Sequence, residues 1–224
     1  AYPVLVVSQR CITLTSSTIP FWHQVPLREI FEKEFRLPVL VETGTRAKAV
    51  AEHQAEAAEA GATSMIYIDY GTGIGAGFYV DGRLLYGQGS AAGEFGHTHI
   101  AEDGPVCSCG SFGCLEAIAG LRAVEARVHR IIAGGGKTDV TELAGGDPAK
   151  VTGWMVFRAA AAGDKASINI TTEVARYLGL GIANLVNLFN PGLVVLDSRL
   201  TEAGDELLDQ IVAVVRRQAL KEAT

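Results

Sequence analysis

The chain has 224 residues, 48% of them hydrophobic, and a formal net charge of −6. This length predicts one large domain or two small lobes with a buried core, and excludes a disordered or fibrous protein. Nucleic-acid affinity depends on clustered Lys and Arg, so an acidic chain with no basic run longer than Arg216-Arg217 is not expected to bind DNA itself. Because no apolar run reaches about 18 residues and no signal peptide opens the chain, a soluble cytoplasmic protein is expected.

Apolar periodicity and turn residues predict an alternation of helices and strands along the chain. The predicted helices are 27–35, 45–60, 115–133, 148–162, 167–189 and 201–220. The predicted strands are 37–41, 64–70, 75–80, 83–86 and 192–197. Asp81-Gly82 is a strong hairpin turn between the third and fourth strands. This alternation is typical of an α/β protein with a mixed sheet, in which 167–189 is the central buried helix.

Residues 87–114 follow neither period, are rich in glycine and contain three of the four cysteines. His97, Cys107, Cys109 and Cys114 form the pattern His-x9-Cys-x-Cys-x4-Cys. Three thiolates and one imidazole are the donor set of a closed, four-coordinate structural zinc site, which the spacing therefore predicts.

Three alternatives to this assignment remain open at the level of sequence. His99 could replace His97 as the fourth ligand, or the cysteines could be reduced thiols beside an unrelated histidine. A catalytic zinc would need an open coordination position and usually fewer thiolates. The fourth cysteine, Cys11, is expected to be a small core residue.

Three polar residues lie close to the predicted metal ligands along the chain. Glu94 precedes His97 by three residues, and Glu116 follows Cys114 by two, at the start of a predicted helix. A metal would tether all three polar groups to one rigid centre, and carboxylates accept hydrogen bonds from neighbouring hydroxyls, so Glu94, His97 and Glu116 are candidate sugar contacts. The alternative is that Glu94 and Glu116 are a helix cap and a solvated first-turn acid.

Two segments carry a resemblance to a known family. GTGIGAGFYVDGRLLYGQGSAAGEFGH followed by CSCGSFGCLE resembles the signature of the ROK family, which contains sugar-responsive repressors and sugar kinases. Weaker similarity extends from about residue 12 to 220. The resemblance implies an actin/hexokinase-like (ribonuclease H-like) fold with two lobes, zinc on the four residues named above, and sugar contacts from Glu94, His97 and Glu116.

The sequence departs from the pattern of the family kinases at the catalytic base. Those kinases carry a Glu-Asn-Asp-Ala-Asn-like motif whose Asp deprotonates the sugar hydroxyl. This chain reads Glu42-Thr43-Gly44-Thr45-Arg46, so a glycine stands where the base is expected, and we assign no catalytic residue.

The nucleotide side departs as well. Asp197-Ser198 replaces the Gly-Gly of the family's adenosine side, and a carboxylate there would disfavour a polyanionic nucleotide. The family's N-terminal Asp-x-Gly-x-Thr phosphate loop is absent. The turn formed by Gly71, Thr72, Gly73 and Gly75 could cradle a phosphate through backbone N–H groups, but glycines also simply form tight turns. ATP binding is therefore not expected.

The resemblance and its departures together predict a sugar-sensing, non-catalytic part of a ROK transcriptional regulator that contains a structural zinc. Residues 1–42 would be the remnant of the first lobe and the crossing segment, and 43–224 the C-terminal lobe with its zinc loop at 93–116. The expected partners are a sugar or sugar derivative, DNA through an N-terminal winged helix outside this chain, and further copies in a homodimer or homotetramer. The alternatives are an ATP-dependent sugar kinase of the same family and a zinc-stabilised scaffold that binds no sugar.

Overall fold

The structure is a computed structural model that describes residues 6–7, 12–13, 24–57 and 61–223. Cys11, predicted to be a core residue, lies outside the described residues. The chain divides into two compact units. The first unit consists of Ala1–Ile68, Gly75–Glu94 and Pro191–Val195, and the second of Asp69–Ile74, Phe95–Asn190 and Leu196–Thr224. The sequence-based division after residue 42 stays a prediction.

Within the described ranges, six strands form two sheets. They are β1 (Val6–Val7), β2 (Ile12–Thr13), β3 (Met65–Tyr70), β4 (Ile74–Val80), β5 (Arg83–Leu84) and β6 (Leu193–Leu196). Strands β1 and β2 pair antiparallel, and the other four form one sheet in the order β5-β4-β3-β6. The hairpin prediction is confirmed, because β4 and β5 pair antiparallel and Asp81 and Gly82 both have positive φ, 52° and 71°. Positive φ at both central residues is the geometry of a type I′ turn.

The predicted strand at 37–41 is wrong. This segment has no regular structure, and Leu40 is 91% exposed. The backbone of Val39 bonds to side chains rather than to another strand: its carbonyl accepts from Arg28 Nε at 3.1 Å, and its N–H donates to Glu32 Oε1 at 3.2 Å. The Val39 backbone therefore ties this largely exposed segment to helix α1 (Leu27–Phe35), which begins and ends where the sequence predicts.

The remaining helices follow the predicted order with adjusted bounds. They are α2 (Gly44–Glu52), α3 (Leu115–Ala119), α4 (Leu121–Ala133), α5 (Val140–Leu143), α6 (Gly153–Ala161), α7 (Lys165–Phe189) and α8 (Asp205–Gln218). Helix α2 continues into a π-helical turn at His53–Ala57. Gly120 divides the predicted helix 115–133 in two, and the four-residue α5 was not predicted.

Helix α7 is the centre of the second unit, as predicted from its apolar surface. Twelve of its 25 residues are buried, and it packs against α6 and α8. Gly179 permits the close approach to α8, because a Cβ there would lie 2.6 Å from the Cβ of Val214. Asp164 caps its N-terminus by accepting from Ser167 N, and Asn190 ends it in the left-handed conformation. Among the described residues, none of the helices has the length and apolar character needed to cross a bilayer.

Candidate metal and ligand site

The four residues predicted to bind metal lie together in the structure. One donor atom from each of His97, Cys107, Cys109 and Cys114 can be chosen so that all four lie within 4.8 Å of one another. Cys107 Sγ lies 3.5 Å from His97 Nδ1, and Cys109 Sγ lies 3.8 Å from Cys114 Sγ. Cys107 and Cys114 are buried, His97 is half-buried and Cys109 is exposed. This cluster can hold a metal ion.

The backbone of the loop turns sharply to bring these donors together. Cys107 N donates to the Ser111 carbonyl at 2.7 Å, and Gly110 N donates to the Cys107 carbonyl at 3.0 Å. Gly110 and Gly113 have φ values of 90° and 66°, and a Cβ at Gly113 would collide with the Ala101 carbonyl oxygen. Only glycine adopts these positions without strain, so the spacing of the cysteines depends on both glycines.

The surroundings shift the pKa values of two of the thiols, Cys109 and Cys114, in opposite directions. Burial, followed by hydrogen bonds with the neighbouring cysteines, raises the pKa of the Cys114 thiol to about 12. The Ser111 backbone hydrogen bond is the main cause of a lowered pKa at Cys109. A cation at the centre of the cluster would favour the thiolate at every position, so the donor set fits a thiophilic metal such as zinc.

His99, the alternative ligand, has a different role. Its Nδ1 donates to the Phe112 carbonyl at 2.9 Å, and its ring meets the Phe112 ring edge-on at 5.4 Å. Backbone pairing between His99 and Cys114 also ties the two arms of the loop together. His99 therefore braces the loop, whereas His97, at the end of a 3₁₀ turn formed by Phe95–His97, lies beside the thiols.

The two predicted acidic contacts have different environments. Glu116 lies in the first turn of α3, and its Oε2 accepts the Ile74 N–H at 3.1 Å. A Cβ at Gly73 would lie 3.0 Å from the same oxygen, so the carboxylate rests on the glycine turn. Glu94 is exposed and belongs to the first unit. The role of Glu94, His97 and Glu116 in sugar binding stays a prediction.

Some backbone N–H and C=O groups of the glycine turn between β3 and β4 are already hydrogen-bonded. Gly71 N donates to the Gly73 carbonyl at 2.9 Å, and Ile74 N donates to Glu116. The Gly71 carbonyl accepts from Leu121 N at 3.0 Å, which fastens the turn to the start of α4. The phosphate-binding role considered for Gly71, Thr72, Gly73 and Gly75 is untested by this geometry.

The start of α2 contains a buried ion pair that the sequence reasoning missed. Arg46 is 3% exposed, with Nε 2.6 Å from Glu42 Oε1 and Nη1 donating to the Ser90 carbonyl at 2.9 Å. Its guanidinium also lies 5.2 Å from the centre of the Tyr86 ring. Burial, followed by the Glu42 charge, raises the pKa of Tyr86. Glu42 lies before the N-cap residue Thr43 and so outside the helix, and the pairing of helical residues four apart therefore did not predict this contact.

Thr43 and Gly44 begin the same helix. Thr43 is the N-cap residue and its hydroxyl accepts from Arg46 N at 3.4 Å, while Gly44 is the first helical residue. The position expected to carry the kinase base therefore has no side chain, and the preceding hydroxyl serves the helix end.

Asp197, whose charge was expected to disfavour a nucleotide, forms an ion pair with Arg199. It is buried, and Arg199 pairs with both of its oxygens, Nε to Oδ1 at 2.9 Å and Nη2 to Oδ2 at 3.0 Å. Arg199 Nη2 also donates to the Tyr70 carbonyl at 2.7 Å, and the guanidinium lies 5.2 Å from the Trp154 ring centre. Arg199 Nη2 also lies 3.7 Å from Asp69 Oδ1, so one guanidinium serves two carboxylates and the negative charge beside Asp197 is only partly compensated. The argument from Asp197 against a nucleotide stays a prediction.

Comparison with known proteins gives the class to which this chain belongs. The model of the ROK family matches residues 2–224. The xylose repressor of Caldicellulosiruptor bescii is 34% identical over 199 residues, covering 88% of this chain and 49% of the repressor. The glucokinase of Halalkalibacterium halodurans is 37% identical over 191 residues, covering 85% of this chain and 57% of the kinase.

A solved structure extends the comparison to the fold. The ROK family glucokinase from Streptomyces griseus, solved in complex with glucose and AMPPNP, has a TM-score of 0.86 and 30% identity, covering 97% of this chain and 70% of that one. The chain belongs to the ROK family and has its actin/hexokinase-like α/β fold. It spans about half the length of the two relatives described above.

Proposed function

We propose that this chain is the effector-sensing part of a ROK transcriptional regulator, which binds a sugar or sugar derivative and does not phosphorylate it. The observation that carries the proposal is Gly44 at the first position of α2, where the kinases of the family have their base. A general base supplies about 10²–10⁴-fold in rate, and glycine has no group to replace it.

The neighbouring carboxylate is a poor substitute. Glu42 Oε1 accepts both from Arg46 Nε at 2.6 Å and from its own neighbour's N–H, Thr43 N, at 2.8 Å. These two hydrogen bonds occupy the oxygen that would have to accept the proton. Neither Glu42 nor Thr43 is therefore placed to take over proton abstraction from a sugar hydroxyl.

A structural zinc would hold the sugar-binding groups in place. We assign it to His97, Cys107, Cys109 and Cys114, whose three thiolates and one imidazole leave no open coordination position. Because Cys114 immediately precedes α3, the ion would fix the first turn of that helix and with it Glu116. Rigid placement of a polar group lowers the entropic cost of ligand binding.

The sugar contacts would come from Glu94, His97 and Glu116. Glu116 keeps its second oxygen for a ligand hydroxyl while Oε2 holds Ile74 N–H. His97 has Nδ1 beside Cys107, so Nε2 is the ring nitrogen that would reach a ligand. The assignment of Glu94 depends on the resemblance to the family. In the whole protein, the proposed partners are DNA, through a separate winged helix, and other copies of the chain in the cytoplasm.

A sugar kinase is the second candidate, because the glucokinase relative shares 37% identity over 85% of this chain. The glycine turn at 71–75 would then face the nucleotide. Two of the turn's N–H groups are already bonded, from Gly71 to Gly73 and from Ile74 to Glu116, which leaves fewer donors for phosphate oxygens.

Calorimetric titration of the metal-loaded protein with D-xylose, D-glucose and N-acetyl-D-glucosamine tests the sensing proposal. One of these sugars is expected to bind, and Glu116→Gln, which keeps an acceptor for Ile74, is expected to weaken binding at least about tenfold through loss of a charged hydrogen bond. The matched control is Glu102→Gln, an exposed acid in the same loop.

The two candidate functions are separated by a coupled ATPase assay on the protein encoded by the complete reading frame. Sugar-dependent ATP turnover would replace the regulator with a kinase. Absence of binding heat for all three sugars, with zinc present in equimolar amount, would favour a zinc-stabilised scaffold instead.

A further inference from the structure

Helices α4 and α7 flank an open groove in the second unit, separate from the metal cluster. Its volume is about 540 Å³, which lies in the range of small-molecule sites. Arg127 and Arg130 line it from α4, three residues apart and so on one helix face, and Asn169 and Glu173 line it from α7. None of these residues takes part in the site described above.

Positive charge exceeds negative charge among the side chains that line the groove. Two guanidiniums face one carboxylate, and only Arg127 is within bonding distance of it, with Nη2 3.2 Å from Glu173 Oε1. Arg127 Nη1 is buried and has no hydrogen-bond partner within the part of the chain that the structure describes. Arg130 is exposed, and its Nε makes only a long bond of 3.4 Å to a carbonyl of its own helix.

The lining also offers groups suited to the rest of a ligand. Ile131 and Ile170 supply an apolar surface, while the Asn169 amide and the Glu173 carboxylate supply hydrogen-bonding groups for hydroxyls. Arginines bind phosphate oxygens in bidentate fashion, so the two guanidiniums on one helix face suit the oxygens of a phosphate group.

We propose that the groove between α4 and α7 binds a small hydroxylated phosphate monoester, with the phosphate on Arg130 and Arg127 and the hydroxylated body toward Asn169 and Glu173. This site is independent of the sugar site proposed at His97 and Glu116. It would allow the protein to respond to a phosphorylated compound separately from a neutral sugar.

Calorimetric titration of the metal-loaded protein with glucose 6-phosphate as the probe tests the proposal, with glucose and inorganic phosphate titrated in parallel. Concentrations up to about 10 mM cover dissociation constants near 1 mM and tighter. Glucose 6-phosphate is expected to bind more tightly than either of the parallel compounds. Arg130→Glu is expected to weaken it at least about tenfold, because it reverses one of the two positive charges.

The matched control is Arg122→Glu, which makes the same charge change at an exposed position of α4 outside the groove. It is expected to change the affinity by less than about twofold at physiological salt, where distant surface charges are screened. Both variants are first checked for unchanged zinc content and melting temperature, so that a folding defect is not mistaken for lost binding.

Several outcomes would overturn the proposal. They are the absence of glucose 6-phosphate binding in the wild type, equal weakening by the two charge reversals, and binding of inorganic phosphate as tight as that of glucose 6-phosphate. Loss of glucose 6-phosphate binding in Glu116→Gln, with Arg130→Glu unaffected, would assign that binding to the sugar site. Failure of the neutral sugars to bind would leave the groove proposal standing, so the two proposals fail separately.

Discussion

The metal loop, residues 97–114, and the start of α2, residues 42–46, both concentrate polar side chains but satisfy them differently. In the metal loop the donor atoms of three cysteines and one histidine converge within 4.8 Å, and three thiolates would carry more negative charge than one imidazolium could balance. At the start of α2, Glu42 pairs with Arg46, and Arg46 also donates to Ser90. The loop's donors could therefore hold a cation, whereas these polar groups at the start of α2 find partners within the chain.

This difference supports our proposal that the metal site is kept while the kinase base is replaced. Thiols gathered around one point indicate a cation supplied from outside, because the loop has too little positive charge to balance them as thiolates. Mutually bonded groups of opposite charge indicate a structural role. Because the relatives include both a repressor and a glucokinase, family membership alone does not separate a sensor from a kinase.

The largest expected effect is loss of the metal. His97→Ala removes one of four ligands and is expected to abolish equimolar zinc and to lower the free energy of unfolding by several kcal/mol, on the order of 5, because structural zinc binding is coupled to folding. Elemental analysis and urea unfolding of the purified protein measure both quantities.

The control for this variant is His99→Ala, which removes the neighbouring imidazole but leaves the four converging donors. This variant is expected to keep full zinc content. Its free energy of unfolding is expected to fall by only about 1 kcal/mol, the value of the lost hydrogen bond from His99 to the Phe112 carbonyl. If His99→Ala lost zinc and His97→Ala kept it, the assignment of the fourth ligand would be reversed.

A smaller effect is expected at the start of α2. Arg46→Met leaves the Glu42 carboxylate without its buried partner and is expected to destabilise the protein by about 3 kcal/mol, the lower end for a broken buried pair, since Glu42 is 22% exposed. By comparison, the double variant Glu42→Gln, Arg46→Met is expected to be more stable than Arg46→Met alone. Urea unfolding of the wild type, Glu42→Gln, Arg46→Met and the double variant measures the coupling, and strict additivity would contradict a paired role.

The smallest expected effect concerns Asp164, the N-cap of α7, which lies outside the two regions compared above. Partial burial raises the pKa of Asp164, but hydrogen bonds donated by Ser167 and Thr138 lower it more, so the net pKa lies below its ordinary value. Asp164→Ala is expected to cost about 1 kcal/mol at pH 7, the usual value of an N-cap.

The pH dependence of this cost follows from the direction of the pKa shift. A carboxyl group with a lowered pKa in the folded state stabilises the protein above its unfolded pKa, 3.8, and this stabilisation is lost as pH falls through the lower folded value. The difference between wild type and Asp164→Ala is therefore expected to shrink below about pH 4. Asp209→Ala, at an exposed position of α8, is expected to change stability by less than about 0.5 kcal/mol at either pH.

Much of the fold was predictable because its signals are local. The turn Asp81-Gly82, the boundaries of α1 and the buried character of α7 follow from residues within a few positions of one another. The wrong strand at 37–41 shows the limit, because an apolar run becomes a strand only when a partner strand bonds to it, and Val39 bonds to α1 instead.

The candidate site also has one part that the sequence predicted and another that only the tertiary structure decided. The spacing of one histidine and three cysteines predicted the four residues that converge in the structure, since the number and type of donors are properties of the residues and the glycines between them allow the turn. The choice between His97 and His99 was left open by the sequence. Tertiary structure alone decided that Arg46 bonds to Ser90, 44 residues away, and that the arginine paired with Asp197 also bonds to Tyr70, 129 residues from that arginine. Such pairings depend on how distant segments pack, and no local period in the sequence encodes the partner of a buried charge.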